Sequence, residues 1–453
     1  MLVVAGCIAP WFFGTWEMWW FWPFSAVLAG GMVFGGASLF LRDGNFPARV
    51  LLSMGLCVPF LVYLLVRWWV SDAVFLDAER SVLLHITGVW VGVMSACFVR
   101  ERHVSVLFGC LYVSLLCMAA YGIVNHVVAG SRLVLWAPRF EQYAGRATGP
   151  YFCPDHFAGA MELLICMGLG LLLDRASCGA RRLFGISGIV LGFIGAVMTL
   201  SRGSGMTLAV ICGLVVVFGF YQWPKPVRHA WRVVCCMLGL MLLLGGFLLA
   251  QNYRHRFVTY GGLDRVAASA DEPVGAQIIE KLRRTSRGRM FAGAWRSWQT
   301  APWFGVGPGM HRHMWPAFAA SADGDRAAGV WPTLLNDDFH SYEVHNDWLE
   351  LLQEHGLVGI GLFLLACAGV VSIYVRSFVR IGRDWSWHEF AYMDAPPAGY
   401  YLLLSGMLAM GAMMFHSLGD FNLQMPGTVW MLSVLVGLGL RVSVPLRAVP
   451  GEQ

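Results

Sequence analysis

The chain has 453 residues, of which 57% are hydrophobic and only 13% charged. Soluble domains carry about 25% charged residues, so this balance leans away from a soluble enzyme and toward a membrane protein. The formal net charge of +5 is small, and its distribution says more than its size.

A membrane-spanning helix needs about 20 mostly apolar residues. Twelve stretches read as candidates: residues 2–14, 23–41, 50–69, 82–99, 104–128, 157–173, 183–200, 205–221, 233–250, 348–375, 400–415 and 427–440. The first and last are short. Residues 1–14 carry no basic leader and no evident cleavage site, so they read as a retained first span. The 20 tryptophans fit a bilayer protein, because Trp collects at membrane–water interfaces. Most of the 12 cysteines, among them Cys57, Cys97, Cys110, Cys166, Cys235 and Cys367, lie in or beside apolar runs and act there as small hydrophobes. No CxxC pair or zinc-like spacing appears, and Cys153 alone falls in an expected outer loop.

Basic residues set the orientation. Arg42 and Arg49, Arg100 and Arg102, Arg175 with Arg181 and Arg182, Lys225 with Arg228 and Arg232, and Arg376 with Arg380 and Arg383 fall on every second connection. That face is expected to be cytoplasmic. Both termini then lie inside, and the long polar stretch 251–344 lies outside. The expected division is nine spans in residues 1–250, an outer cap in 251–344, and three spans with a short cytoplasmic tail in 345–453. Within the cap, Lys281, Arg283, Arg284, Arg287, Arg289 and Arg296 occur with no acidic residue between them. Such a cluster fits phosphate, which Arg grips through paired hydrogen bonds. It also fits contact with lipid headgroups, and charge alone does not choose. Nucleic acid is excluded as a partner by the outward face.

Two residues stand out at span ends. Arg202, in Thr199-Leu200-Ser201-Arg202-Gly203, sits at the outer end of one apolar run and the start of the next. Ionisable groups there face protein or water, or they snorkel as simple anchors. His345 opens the tenth span, and His is the side chain best suited to moving a proton near neutral pH. A lone His at a helix start is more often a cap than a catalyst, so its company matters.

That company is His345-Asn346, then Gly356-Leu357-Val358-Gly359 after nine intervening residues. The pattern resembles the signature in the last large periplasmic region of O-antigen ligases. Thr199–Gly203 looks like that superfamily's Ser-Arg-Gly element. Gly288-Arg289-Met290, Trp295 and Pro302-Trp303-Phe304-Gly305-Val306-Gly307-Pro308-Gly309 look like its Arg element and glycine-rich loop. Arg146-Ala147-Thr148-Gly149-Pro150 with Asp155-His156-Phe157-Ala158-Gly159 looks like the element before the sixth span. His416-Ser417-Leu418-Gly419-Asp420-Phe421-Asn422 and Pro426 resemble a C-terminal pattern of many relatives. Asp155 is a departure, because many relatives carry Asn there.

The resemblance to the O-antigen ligase and polymerase superfamily implies an all-α polytopic membrane protein. It also implies a helical periplasmic cap and a glycosyltransferase fold of the C type. It implies transfer of a glycan from an undecaprenyl-diphosphate carrier to a hydroxyl, inverting and without metal or other cofactor. Arg202 and Arg289 would hold the diphosphate, and His345 would activate the acceptor hydroxyl. Arg146, Arg287, Asn346 and His156 would complete the substrate site. Lipid A–core, another lipid-linked glycan and a protein hydroxyl compete as acceptor, the first two preferred because nothing in the loop suggests a peptide groove. The rival from another class is a non-catalytic flippase of lipid-linked glycans. A flippase would carry ionisable residues deep in several spans and an internal repeat, and few such residues and no clear repeat occur. His311-Arg312-His313 with Asp337, Asp338 and His340 matches no strong metal spacing and reads as solvated loop. Ser341 belongs to no nucleophile elbow. Gly305–Gly309 lacks the Lys-Ser/Thr of a P-loop and reads as a tight turn. Glu162 reads as a hydrogen-bonded structural residue near the outer end of its span.

Overall fold

The computed structural model describes residues 1–41, 48–130, 132–174, 179–222, 286–320, 342–384 and 399–443. Those residues are mostly helical. Seven helices are long and apolar enough to cross a membrane, and three shorter apolar stretches, Gly55–Val70, Arg202–Val215 and Tyr400–His416, accompany them. The helices are α1 (Met18–Leu41), α2 (Ala48–Val70), α3 (Phe75–Cys97), α4 (Glu101–Ala129), α5 (Pro154–Leu173), α6 (Gly179–Met198) and α7 (Arg202–Gln222). After these come α8 (Ser286–Thr300), α9 (His311–Ala320), α10 (Asp347–Asp384), α11 (Tyr400–His416) and α12 (Pro426–Ser443). A two-stranded ribbon, β1 (Leu133–Val134) with β2 (Ala137–Pro138), pairs antiparallel between α4 and α5. The expected span 233–250 and residues 251–285 and 321–341 of the expected cap lie outside the described residues.

The expected first span differs. Residues 2–14 form no regular helix of membrane length. They make three short turns, Val4–Ile8, Ala9–Trp11 and Phe13–Thr15. Pro10 lacks the N–H a continuous helix needs, and Phe13, Gly14 and Thr15 all have positive φ, which folds the chain back into α1. The Thr15 hydroxyl closes the fold-back by donating to the Ala9 carbonyl at 2.6 Å. Ser114 of α4 secures the segment, accepting from the Trp11 indole at 3.0 Å and donating to the Cys7 carbonyl at 2.9 Å.

α5 is buried on almost every side, as a helix apolar all round should be. It packs against α6, α7 and α11, and α12 lies between α11 and α3. Small residues let the α5–α6 backbones meet. A Cβ on Gly168 would stand 2.7 Å from the Gly185 carbonyl oxygen, and one on Gly185 would stand 2.8 Å from that of Gly168. Close approach of this kind is how helices associate where no water drives them together.

α10 breaks at Gly356, where φ is 65° and ψ −171°. The break divides a polar first section, with Glu350, Gln353, Glu354 and His355 all buried, from the apolar remainder. The glycine-rich loop between α8 and α9 fills the break. Val306 and Gly307 N–H donate to the Gln353 and Glu354 carbonyls, and Leu357 and Val358 N–H donate to those of Pro302 and Trp303. Groups freed by the broken helix are thereby satisfied, as a buried backbone requires. A Cβ on Gly305 would overlap the Glu354 backbone, and one on Gly356 would overlap that of Trp303. The glycines of this loop therefore serve close packing, as a tight turn between loop helices does.

Candidate active site

Three helices begin around one carboxylate. α5 starts with Pro154 and Asp155, so Asp155 sits where the helix dipole favours a negative charge. Arg146 Nη2 donates to Asp155 Oδ1 at 2.7 Å, and Arg287 Nη2 lies 3.7 Å from Oδ2. The Ser201 hydroxyl adds a hydrogen bond to the same carboxylate. Arg287 belongs to the first turn of α8 and Ser201 precedes α7, so both of those N-termini face Asp155.

Local sequence explains the α6–α7 corner. Leu200 adopts φ 52°, which turns the chain, and Ser201 Oγ accepts from the Ser204 N–H at 3.3 Å as a cap. Arg146 Nε donates to the Thr199 carbonyl at 2.7 Å, pinning the corner to the loop before α5. Arg202 then starts α7 within electrostatic reach of Arg287, Asp155 and Arg146. Arg289 shares the first turn of α8 with Arg287, and its Nε is buried with no hydrogen-bond partner among the described residues. Helix N-termini surrounded by arginines attract anions, and phosphate groups above all.

Beside this cationic region lies a His–Asp pair. His345 has φ 58°, a strained conformation for a residue with a Cβ. Its Nδ1 lies 3.2 Å from Asp420 Oδ1, which also accepts the Phe421 N–H at 2.9 Å. With Asp420 ionised, Nδ1 must donate, which leaves the lone pair of a neutral ring on Nε2. Burial opposes charge on Asp420. The hydrogen bond from His345 and the charge of Arg287 outweigh it and hold the carboxyl well below the usual carboxylate range. The loop carrying Asp420 is fixed to the start of α10, where Asp347 N–H donates to the Ser417 carbonyl and Asp347 Oδ2 accepts the Leu423 N–H.

The residues singled out in the sequence take different places. Arg202, Arg287 and Arg146 converge on Asp155, although Arg146 spends its bonds within the protein. His345 meets Asp420. His156 is buried, its ring edge-on to Phe421 at 4.3 Å and its Nδ1 3.4 Å from Asn422 Oδ1. Phe421 also takes the His345 ring edge-on at 4.7 Å, so it joins the two histidines. Asn346 caps α10, its Oδ1 accepting the Leu349 N–H at 3.0 Å. Cys153 is buried, and burial together with the nearby Asp155 and Asp420 pushes its thiol pKa up.

Asp420, Phe421 and the pair Glu162–His416 enter the site without having been singled out as members. The signal for Asp420, Phe421 and His416 was the stretch His416–Asn422, and Glu162 is legible as a hydrogen-bonded residue whose partner is not. Nothing local tells that Asp420 meets a histidine 75 positions earlier.

A second polar cluster docks the cap. Arg312 bonds Asp77 at 3.1 Å and Glu343 at 2.9 Å, and His313 Nε2 lies 2.8 Å from Asp77. Glu354 accepts the N–H groups of Gly309 and His311. His311 Nδ1 lies 2.8 Å from Gln353 Oε1, and burial lowers the pKa of that imidazole to about 4 despite this hydrogen bond. His311 and His313 hold separate protein partners: His311 is buried and hydrogen-bonded rather than solvated, whereas His313 is exposed and reaches Asp77. Asp337, Asp338, His340 and Ser341 lie outside the described residues.

No curated protein matches the chain. A family model described as O-antigen ligase matches residues 187–364, a stretch that includes Arg202, Arg287, Arg289, His345 and the broken start of α10. Residues 187–364 are thus similar to the O-antigen ligase domain, which supports the resemblance to the O-antigen ligase and polymerase superfamily.

Proposed function

We propose that this membrane protein moves a glycan from an undecaprenyl-diphosphate carrier to a hydroxyl acceptor at the periplasmic face of a bacterial inner membrane. The family implies glycosyl transfer in a coarse sense, with a lipid-linked glycan and an acceptor as partners. One observation carries the finer reading: three helix N-termini and their arginines gather on Asp155, next to the His345–Asp420 pair.

Breaking the sugar–diphosphate bond sends its electron pair to the leaving diphosphate. Arg202, Arg287 and Arg289, with the N-termini of α7 and α8, supply fixed positive charge where that charge grows. The acceptor oxygen attacks the anomeric carbon from the opposite side, which inverts it. His345 Nε2 takes the acceptor proton, and Asp420 stabilises the imidazolium that results. Arg146 and His156 position the others, Arg146 through Asp155 and His156 through Phe421. No step in this sequence calls on a metal. His345 and Asp420 lie at the ends of spans rather than within them, which favours chemistry at one face over a relay through the spans.

Lipid A–core and a second lipid-linked glycan are the preferred acceptors. Purified protein is incubated with an undecaprenyl-diphosphate oligosaccharide and a chelator, with lipid A–core added or withheld. Glycan on lipid A–core establishes a ligase, and longer lipid-linked chains in its absence establish a polymerase. No product in either arm, with wild-type and His345→Ala protein alike, contradicts the reading.

A further inference from the structure

Behind the His345–Asp420 pair lies a buried ion pair that the transfer chemistry as described does not use. The Glu162 and His416 side chains are both 0% exposed, and His416 Nδ1 stands 2.9 Å from the Glu162 carboxylate. The other ring nitrogen, Nε2, faces Asp420 Oδ2 at 3.9 Å. An imidazole between two carboxylates serves both only when both of its nitrogens carry a proton. The four groups then alternate in charge: Glu162 negative, His416 positive, Asp420 negative, and His345 positive once it has taken a proton.

A fully buried ion pair is a poor source of stability, since removing two charges from water costs about as much as their attraction returns. Its position is more informative. Asp420 Oδ1 is occupied by His345 and the Phe421 N–H, whereas Oδ2 has no hydrogen-bond partner among the described residues and lies 3.9 Å from His416 Nε2. The fold makes room for this arrangement. A Cβ on Gly203 would stand 3.1 Å from His416 Nε2, so a side chain beside Arg202 would crowd the His416 ring.

We propose that Glu162 and His416 are positioning residues that hold the Asp420 carboxylate charged and fixed behind His345, so that His345 can take the acceptor's proton. The inference rests on the glycosyltransferase reading. The titratable and charged groups facing Asp420 are His345 and Asp347 from the start of α10, Asp155, His156 and Glu162 from α5, Tyr143 and Cys153 from the loop before it, Arg287 from α8 and His416 from α11. Those facing His416 are Glu162 and Asp155 from α5 and Asp420 from the loop after α11. Among the described residues His416 makes no hydrogen bond to the arginines or to His345, so its replacement by Gln changes the charge behind Asp420 while Arg202, Arg287 and Arg289 stay in place.

The test is the pH dependence of kcat for glycan transfer to lipid A–core or to lipid-linked acceptor, whichever the wild-type protein uses. Wild type is compared with His416→Gln and Glu162→Gln, and binding of undecaprenyl-diphosphate oligosaccharide is measured on each. Losing the positive His416 leaves the ionised Asp420 unopposed and removes a like charge that disfavours the His345 imidazolium, so His345 protonates more readily and the acid limb moves to higher pH, by about 1 unit. Donor KM and donor binding stay at wild-type values. The double variant resembles either single one, because the two residues act as a unit. Glu162→Asp, which keeps the carboxylate, returns the limb toward its wild-type position. An acid limb that stays in place in an active, donor-binding variant overturns the inference. Loss of fold in both single variants overturns it too, by making the pair structural. A wild-type protein that binds donor yet transfers to neither acceptor overturns the glycosyltransferase reading, and this inference falls with it.

Discussion

Asp155 holds Arg146 at 2.7 Å and Arg287 at 3.7 Å, so two guanidinium groups are aligned before any anion arrives. Pre-alignment matters because a planar fork matches a phosphate only in a narrow range of orientations. Arg202→Lys keeps the charge of the cluster and loses the fork, and transfer is expected to fall by about tenfold or more. Arg289→Ala removes charge and fork together, with an expected loss of about 100-fold. Both are read from initial rates of glycan transfer by protein recovered in the membrane fraction at wild-type amounts. Full activity of Arg202→Lys would make that residue a point charge, and normal transfer by Arg289→Ala would remove Arg289 from the site. The arginines were legible in the sequence because their types and motifs sit at span ends. Their partner Asp155 was visible only as an oddity, and Asp420 only as part of a stretch. A carboxylate that faces a distant histidine leaves no periodic or local trace, since the contact is made by the packing of α10 against the loop after α11.

At the scale of elements, apolar runs located most of the helices, because a run of that length satisfies its own backbone only as a helix. Two places escaped that logic. Residues 2–14 were apolar enough to suggest a span, but Pro10 and three consecutive positive-φ residues replace one helix by three turns. α10 was read as one helix, and Gly356 breaks it so that the glycine-rich loop can supply the missing hydrogen bonds. That exchange explains why the two glycine motifs occur together in the sequence. Gly305→Ala is expected to cost about 1–2 kcal/mol from its left-handed backbone alone, and more from overlap with Glu354. The measurement is thermal unfolding in detergent, and a variant as stable as wild type would contradict the docking role of the loop.

At the scale of the whole molecule, the cap is held to the bundle by buried polar groups, and this makes its attachment pH-dependent. His311 is neutral in the folded protein, because burial lowers its pKa to about 4, below the ordinary value near 6.5. The unfolded chain therefore binds the extra proton first as pH falls, and stability drops between about pH 6.5 and 4. Wild-type protein is expected to lose more thermal stability between pH 7.5 and 5 than His311→Gln. Parallel losses in the two proteins would contradict this assignment. The same arrangement sets α8 and α9 beside the N-terminal ends of α5, α7 and α10, so that α8 delivers Arg287 and Arg289 to the site while α9 stays anchored to α3 and α10.

The most direct measurement separates donor binding from transfer in Asp420→Asn. The variant keeps the shape of the side chain and removes the charge behind His345, leaving Arg202, Arg287 and Arg289 in place. Undecaprenyl-diphosphate oligosaccharide should bind as it does to wild type, while single-turnover transfer falls by about 100-fold, the range of a positioned general base. Transfer at the wild-type rate would contradict the assignment of His345 and Asp420 to the chemistry.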